Sequence, residues 1–582
     1  QEARRQRQMC IRDRFYLHTG NFDLAENDFI SCQKFLPPDH VQASIYYSLG
    51  IIAAEKKKPD ESLGLMQQGL DLYEKQQDKK GSATVYSAMG DIYLEREQYK
   101  FAFDVLNKAL VNFEALEDRE NLLHACNRMG WICKEREDWD LAYGFYTKAL
   151  ETGTALNNQD AIAEAQINLG HVYDKQGEWE RAVMSFEKSI RINKEIKNYS
   201  SAANAYEQIG VIYLKHSVWD LAMAKFRRAQ DINEKHNIEP GMASVYGNIG
   251  TVHFNRGDLD AAMEYYQKSQ EIYERIEMMD EYGQTYAWVA AVYRKLEEYE
   301  RALDMYDKAL EIKEKQGDTA GVANMYEMIG DIYLDRKQGE YALEVYERSM
   351  SMKERLNDFS GVAEIYFKIG ELYRQAEELE KAAEMHQTAL DIFEKIRNVP
   401  GLAKIYLALG TIRHAERNWE ATLSLYNKAL QFYKELDDAK GLAMLHYYIG
   451  NIYHDNDDWQ TALQKYNESL PLFEKAGDLF NVAQVLGNIS AIEFEQKNHT
   501  YALRKQVEIL LYFEENDRKE MVERVLSNLV ACHEQLGQDT FQSLLASCLD
   551  KITGSGIKWG NHKIIEPDKA EVMVSKIFYD AE

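Results

Sequence analysis

The sequence is short of proline, with 7 in 582 residues. Few prolines leave few forced helix breaks and few stiff linkers. Cysteine is scarce too. None of its 6 copies (Cys10, Cys32, Cys126, Cys133, Cys532, Cys548) forms a C-x-x-C pair or a regular set of spacings. That excludes a disulfide scaffold, and the thiols fit a reducing compartment. No apolar run approaches the length of a membrane span, and no secretory leader opens the chain, so the cytoplasm is the expected location. Positive charge is in deficit: 69 Lys and Arg stand against 96 Asp and Glu, a net charge of −27. Such a surface repels nucleic acid and anionic membranes and favours basic partners; the plainer reading is that it keeps a long chain soluble. What is plentiful is tyrosine, 38 residues, in a chain that is 45% hydrophobic, and this excludes disorder.

The first fourteen residues, QEARRQRQMCIRDR, differ from the rest. They carry five Arg against two acids and no initiator Met. The segment is expected to be a translated sequencing-adapter read-through, with a disordered basic arm as the alternative. On the first reading the native beginning of the chain is missing, with room for an upstream domain.

Glycine recurs every 40 residues, at Gly50, Gly90, Gly130, Gly170, Gly210, Gly250, Gly330, Gly370, Gly410 and Gly450, with Ala290 in the one gap. Residues 41–520 therefore divide into twelve repeats of 40 without insertion or deletion. Positions are numbered 1–40 within each repeat. Position 6 is often Tyr, position 9 aliphatic, position 10 Gly and position 13 often Tyr, as in Tyr206, Ile209, Gly210 and Tyr213. Spacings of three and four make this one apolar stripe of a helix, called A. A second stripe, helix B, follows: position 19 aromatic (Trp179, Trp219, Trp419), position 22 Ala, position 26 often Tyr or Phe, and position 29 Ala or Ser. The small residues at positions 10 and 22 are expected to let the two helices of a pair approach, and those at position 29 to do so against the next repeat. Position 38 is Asp or Asn in nine repeats, which suits a helix N-cap.

This order, aromatic–Leu–Gly–Tyr and then Ala–aromatic–Ala, resembles the tetratricopeptide pattern, in a form longer than the usual 34 residues. It is similar to the repeats of kinesin light chains, Pins/LGN-type adaptors and bacterial Rap-type peptide sensors. The resemblance covers about residues 15–537 and implies an all-α fold, a right-handed superhelical solenoid of antiparallel helix pairs. Residues 15–40 then form a partial N-terminal repeat, 41–520 the array, 521–552 capping helices, and 553–582 a loop and tail. Within that tail 553–561 is expected as a loop, and Pro567 to Phe578 as a short helix.

In such solenoids helix A lines the concave groove, and the family's ligand-facing residues map to positions 4, 7, 11, 14 and 15. Position 4 supplies Glu164, Asn204, Asn324 and Glu364. Position 7 supplies Asn127, Glu207, Glu327, Phe367 and Tyr447. Positions 11 and 14 supply Trp131, His171, Asp331, Glu371 and Asn451, with Asp174. Together they predict a mixed polar groove with an acidic bias. Position 7 never carries Lys, so a chaperone-type carboxylate clamp is not expected.

Catalytic and metal chemistry are not expected. Cys126 and Cys133 replace core tyrosines at positions 6 and 13 and read as buried thiols. The run Asp455 to Asp458 has Gln460 and Tyr466 where a calcium loop needs Gly and Glu. Gly554-Ser555-Gly556 matches no nucleotide fingerprint. The aromatic residues fall in core columns rather than among basic ones, which argues against nucleic acid. The expected function is a non-enzymatic scaffold, without cofactor, binding a peptide or helix of a partner protein that carries basic residues. A sensor segment of a larger signalling protein and a ciliary or cytoskeletal component are the alternatives. Oligomeric state is not legible.

Overall fold

In the computed structural model, residues 22–33, 38–559 and 562–574 are described. The adapter-like segment 1–14 lies outside them. The described residues form 28 helices and two short strands. From Asp39 onward helices A and B alternate in register with the repeat. Helix A of the fourth repeat is Gln159–Lys175 and helix B is Trp179–Glu195. At 17 residues each, they are about 25 Å long.

Two turns per repeat bring the chain back antiparallel. Each turn places a residue in the left-handed region, and twenty of these are not glycine, among them Glu97 (φ 56°) and Lys337 (φ 58°). The next amide hydrogen-bonds back into the preceding helix, as Gln98 N–H does to Tyr93 O at 2.9 Å. Where position 38 is Asp or Asn its side chain caps helix A: Asp78, Asn158, Asp358 and Asp438 each accept the N–H three residues on.

The chain divides into two compact units, residues 1–312 and 313–582. In the first, helix Phe22–Gln33 packs on helix Asp39–Glu55, and helix pairs follow one another up to helix Met279–Lys295 and the first part of Tyr299–Gln316. In the second, the helix pairs from Thr319–Asp335 onward end in helices Lys519–Leu536 and Gln538–Ser555. There the ending differs from the loop expected over 553–561. The helix continues to Ser555, and strand β1 (Ile557–Trp559) pairs antiparallel with β2 (His562–Ile565). Gly556 makes the corner at φ +68°, its α-carbon so close to Ile565 O that a Cβ would lie 2.4 Å from it. Ile557, Trp559 and Ile565 are buried in the core under helix His499–Glu515. This three-residue alternation is too short to stand out between glycines in a sequence. The last described helix is Pro567–Val574.

The core of each repeat lies between its own two helices. Glycine at position 10 is not chiefly a contact for position 22. It makes room for the ring at position 26: a Cβ at Gly330 would fall 2.5 Å from the Tyr346 ring, and one at Gly130 2.6 Å from Tyr146. Position 29 is expected to face the next repeat, but two of its four serines bond to helix A of their own. Ser269 Oγ donates to Ala243 O at 2.8 Å and Ser349 Oγ to Ala323 O at 2.7 Å. Cys126 and Cys133 are fully enclosed, and burial pushes both thiols up to about 11.

Candidate functional site

Helices A of successive repeats lie side by side within each unit, and polar side chains on one face link them. In four repeats the link has one form: a polar residue at position 8 reaches back to position 7 or 11, or both, of the preceding repeat. Arg128 bonds Ser87 Oγ at 3.0 Å and Asp91 Oδ1 at 2.9 Å. Asn248 Nδ2 donates to Glu207 Oε1 at 2.7 Å. Lys368 Nζ meets Glu327 Oε1 at 2.7 Å and Asp331 Oδ1 at 2.8 Å. Asn488 Nδ2 donates to Asn451 Oδ1 at 2.8 Å. Position 11 is held from below as well, by the buried ring at position 26. Tyr346 Oη donates to Asp331 and Tyr466 Oη to Asn451, both at 2.7 Å. His386 stands at position 26 in the ninth repeat, its Nε2 3.3 Å from Glu371 Oε1.

The fifteen residues singled out from the sequence therefore separate into two groups. Glu207, Glu327, Asp331, Glu371 and Asn451 belong to the ladder between or within repeats. Glu207 is 8% exposed and also accepts from Ser244 Oγ. Burial raises its pKa above the ordinary carboxylate value, against the lowering effect of its two hydrogen bonds. Burial opposes charge on Glu327 too, but the Lys368 and Lys353 ammoniums outweigh it and hold that carboxyl below the ordinary range. Burial depresses the basicity of His171, aided by Lys134, and its ring meets Phe186 edge-on. Asp174 accepts from Lys215 Nζ at 2.6 Å. Phe367 packs on the His386 ring, and Tyr447 donates to Gln484 at 3.4 Å.

The other group faces outward. Glu164, Asn204 and Asn324 at position 4 are exposed and have no hydrogen-bond or ion-pair partner among the described residues. Glu364, in the same column, is half-buried and accepts weakly from Lys404 at 3.4 Å. Trp131 is 37% exposed and rests edge-on against Tyr99. Asn127 is half-buried, with an Oδ1 sheltered from solvent and without a donor.

Sequence reading missed position 8. In several repeats a polar residue there follows a polar one at position 7 of the repeat before, as Asn248 follows Glu207 and Lys368 follows Glu327. That pairing is the signal that could have found it. Among the described residues there is no group of three or more His, Cys, Asp or Glu placed to hold a metal. Nor is any described helix long and apolar enough to cross a membrane.

Comparison with known proteins agrees with this architecture. The tetratricopeptide repeat family model matches residues 241–315, 281–355, 321–395 and 401–475. The model of the soluble NSF attachment protein, SNAP, matches 115–268. No curated protein sequence matches the chain significantly. Among solved structures, yeast Tom70 is 14% identical, covering 78% of this chain and 96% of its own, with a TM-score of 0.42. A Rap protein complexed with competence and sporulation factor is 15% identical, covering 62% and 99%, at 0.40. BtubC from P. vanneervenii is 19% identical, covering 38% and 92%, at 0.33. With the 40-residue period, the paired helices and the family matches all in agreement, this chain is a tetratricopeptide-type repeat protein.

Proposed function

We propose that the protein is a non-enzymatic interaction scaffold, holding a peptide or helix of a partner protein against its helix-A faces, and that the partner segment is basic. One observation carries the reading. In the first unit a cavity of about 590 Å³ opens between helices Arg119–Glu135 and Gln159–Lys175. Glu120, Asp160 and Glu164 line it, and none has an ion-pair partner among the described residues. Asn127 adds an unpaired acceptor oxygen. Arg128 also lines it but is already engaged by Asp91 and Ser87. The cavity thus offers acceptors and unbalanced negative charge, which a Lys or Arg side chain complements.

Cross-linking of captured partners, with mapping of the modified residues, tests this. Contacts should concentrate on helix A, and replacing Glu120, Asp160 and Glu164 together by Gln should weaken capture of basic peptides and flatten its salt dependence. Contacts confined to the outer face of helix B would sink the reading.

A further inference from the structure

A second cavity, of about 260 Å³, lies in the second unit, where helix Leu479–Glu495 meets helices His499–Glu515 and Lys519–Leu536. Its origin is a break in the ladder. In the eighth and eleventh repeats positions 7 and 11 carry side chains that position 8 of the next repeat reaches, Glu327 and Asp331 from Lys368 and Asn451 from Asn488. In the twelfth they are Gly487 and Ala491. Asn528, which stands where the next position 8 would be, has nothing to close upon and no hydrogen-bond partner among the described residues. A Cβ at Gly487 would meet nothing within 4 Å.

The walls define what fits. Ile509, Phe513 and Val525, all at most 6% exposed, form an apolar floor. Gln506 is only 5% exposed and gives its Nε2 to Ser490 Oγ at 3.1 Å, while its Oε1 has no donor among the described residues. Gln484 and Asn528 add amides at the rim. The one charged lining residue is Arg524, exposed and without an ion-pair partner among the described residues. No carboxylate lines the cavity, in a chain of net charge −27. The volume is below the roughly 300–1,000 Å³ of ordinary small-molecule pockets, so it suits a single large side chain rather than a cofactor.

We propose that this cavity is a specificity pocket for an extended peptide, seating one Leu, Ile or Met side chain on the floor with a carboxylate beside it on Arg524. The unpaired Gln506 oxygen and the rim amides match the N–H and C=O groups of a peptide main chain, and the free guanidinium in a site without acids selects a negative neighbour. The inference rests on the interaction reading above but concerns a separate site of opposite charge preference.

The test uses the full chain and capped hexapeptides with one variable apolar residue flanked by Asp, Asn or Lys, read by fluorescence anisotropy. The wild-type protein should select an apolar residue next to Asp. Gly487→Leu, which fills the space, should weaken the selected peptide at least tenfold and leave capture of basic peptides at Glu120, Asp160 and Glu164 unchanged. Arg524→Glu, on an exposed side chain, should reverse the preference from Asp to Lys and provides the readout should Gly487→Leu disturb folding. Unchanged affinity in both variants, or no apolar–acidic selection by the wild type, overturns the pocket. Loss of basic-peptide capture alone overturns the acidic cavity and leaves this one standing.

Discussion

Lys368 Nζ lies 2.7 Å from Glu327 Oε1, across two repeats and forty-one residues of chain. The pair is largely enclosed, with side chains 22% and 12% exposed, and Lys353 closes on the other carboxylate oxygen at 2.9 Å. Removing one member strands charge that folding has already desolvated. Lys368→Met should therefore destabilise the second unit by about 2–3 kcal/mol. Amide hydrogen exchange in helices Thr319–Asp335 and Phe359–Gln375 checks it, and unchanged protection there would contradict the ladder as a stabilising element.

The same column predicts opposite acid responses. Glu327 titrates below its ordinary value of 4.5, so its contribution is complete above that value and is lost as pH falls through the lower, folded value. Glu207 titrates above 4.5 because burial outweighs its hydrogen bonds. Its contribution is complete below 4.5 and declines as pH rises through the higher, folded value. Glu207→Gln should thus remove a loss of stability that sets in as pH rises above 4.5, and Glu327→Gln should remove one that sets in as pH falls below it. Hydrogen exchange of helices Tyr199–Lys215 and Thr319–Asp335 against pH distinguishes the two.

Two glycines on helix A should respond oppositely to one methyl group. Gly330→Ala drives a Cβ to 2.5 Å from the enclosed Tyr346 ring and should cost about 1–3 kcal/mol. Gly487→Ala meets open space and should stabilise its helix by roughly 0.5–1 kcal/mol. Local exchange protection in the two variants reads both signs.

The turns hold a reserve of stability. Glu97 and Lys337 sit at φ 56° and 58°, where a Cβ costs about 1–2 kcal/mol. Glu97→Gly and Lys337→Gly should each raise stability, by about 1 kcal/mol at most once the greater freedom of unfolded glycine is counted. A lower melting temperature in either variant would contradict the assignment of strain to these turns.

Much of the fold was written locally. The 40-residue glycine period, the apolar stripes and the Asp or Asn caps are properties of single helices and turns, and a helix announces itself by spacing. The paired helices and caps follow from them, as at Asp78 and Asp438. The strands at Ile557–Trp559 and His562–Ile565 were not legible, because only burial beneath helix His499–Glu515 makes so short an alternation a sheet. The helix-A face was legible as a list of residues but not as a division of labour. Whether a carboxylate at position 7 is occupied, as Glu327 is by Lys368, depends on a residue forty-one places away and on the angle at which two helices meet. So does a vacancy: Gly487 reads as one more small residue in a repeat. Only the packing of three helices around it, with Ile509, Phe513 and Val525 beneath, turns a missing side chain into a cavity. Sequence alone thus determined the helices, their order and their caps, since these depend on contacts a few residues apart. Tertiary structure decided which polar groups are paired and which stay open, since those contacts cross repeats.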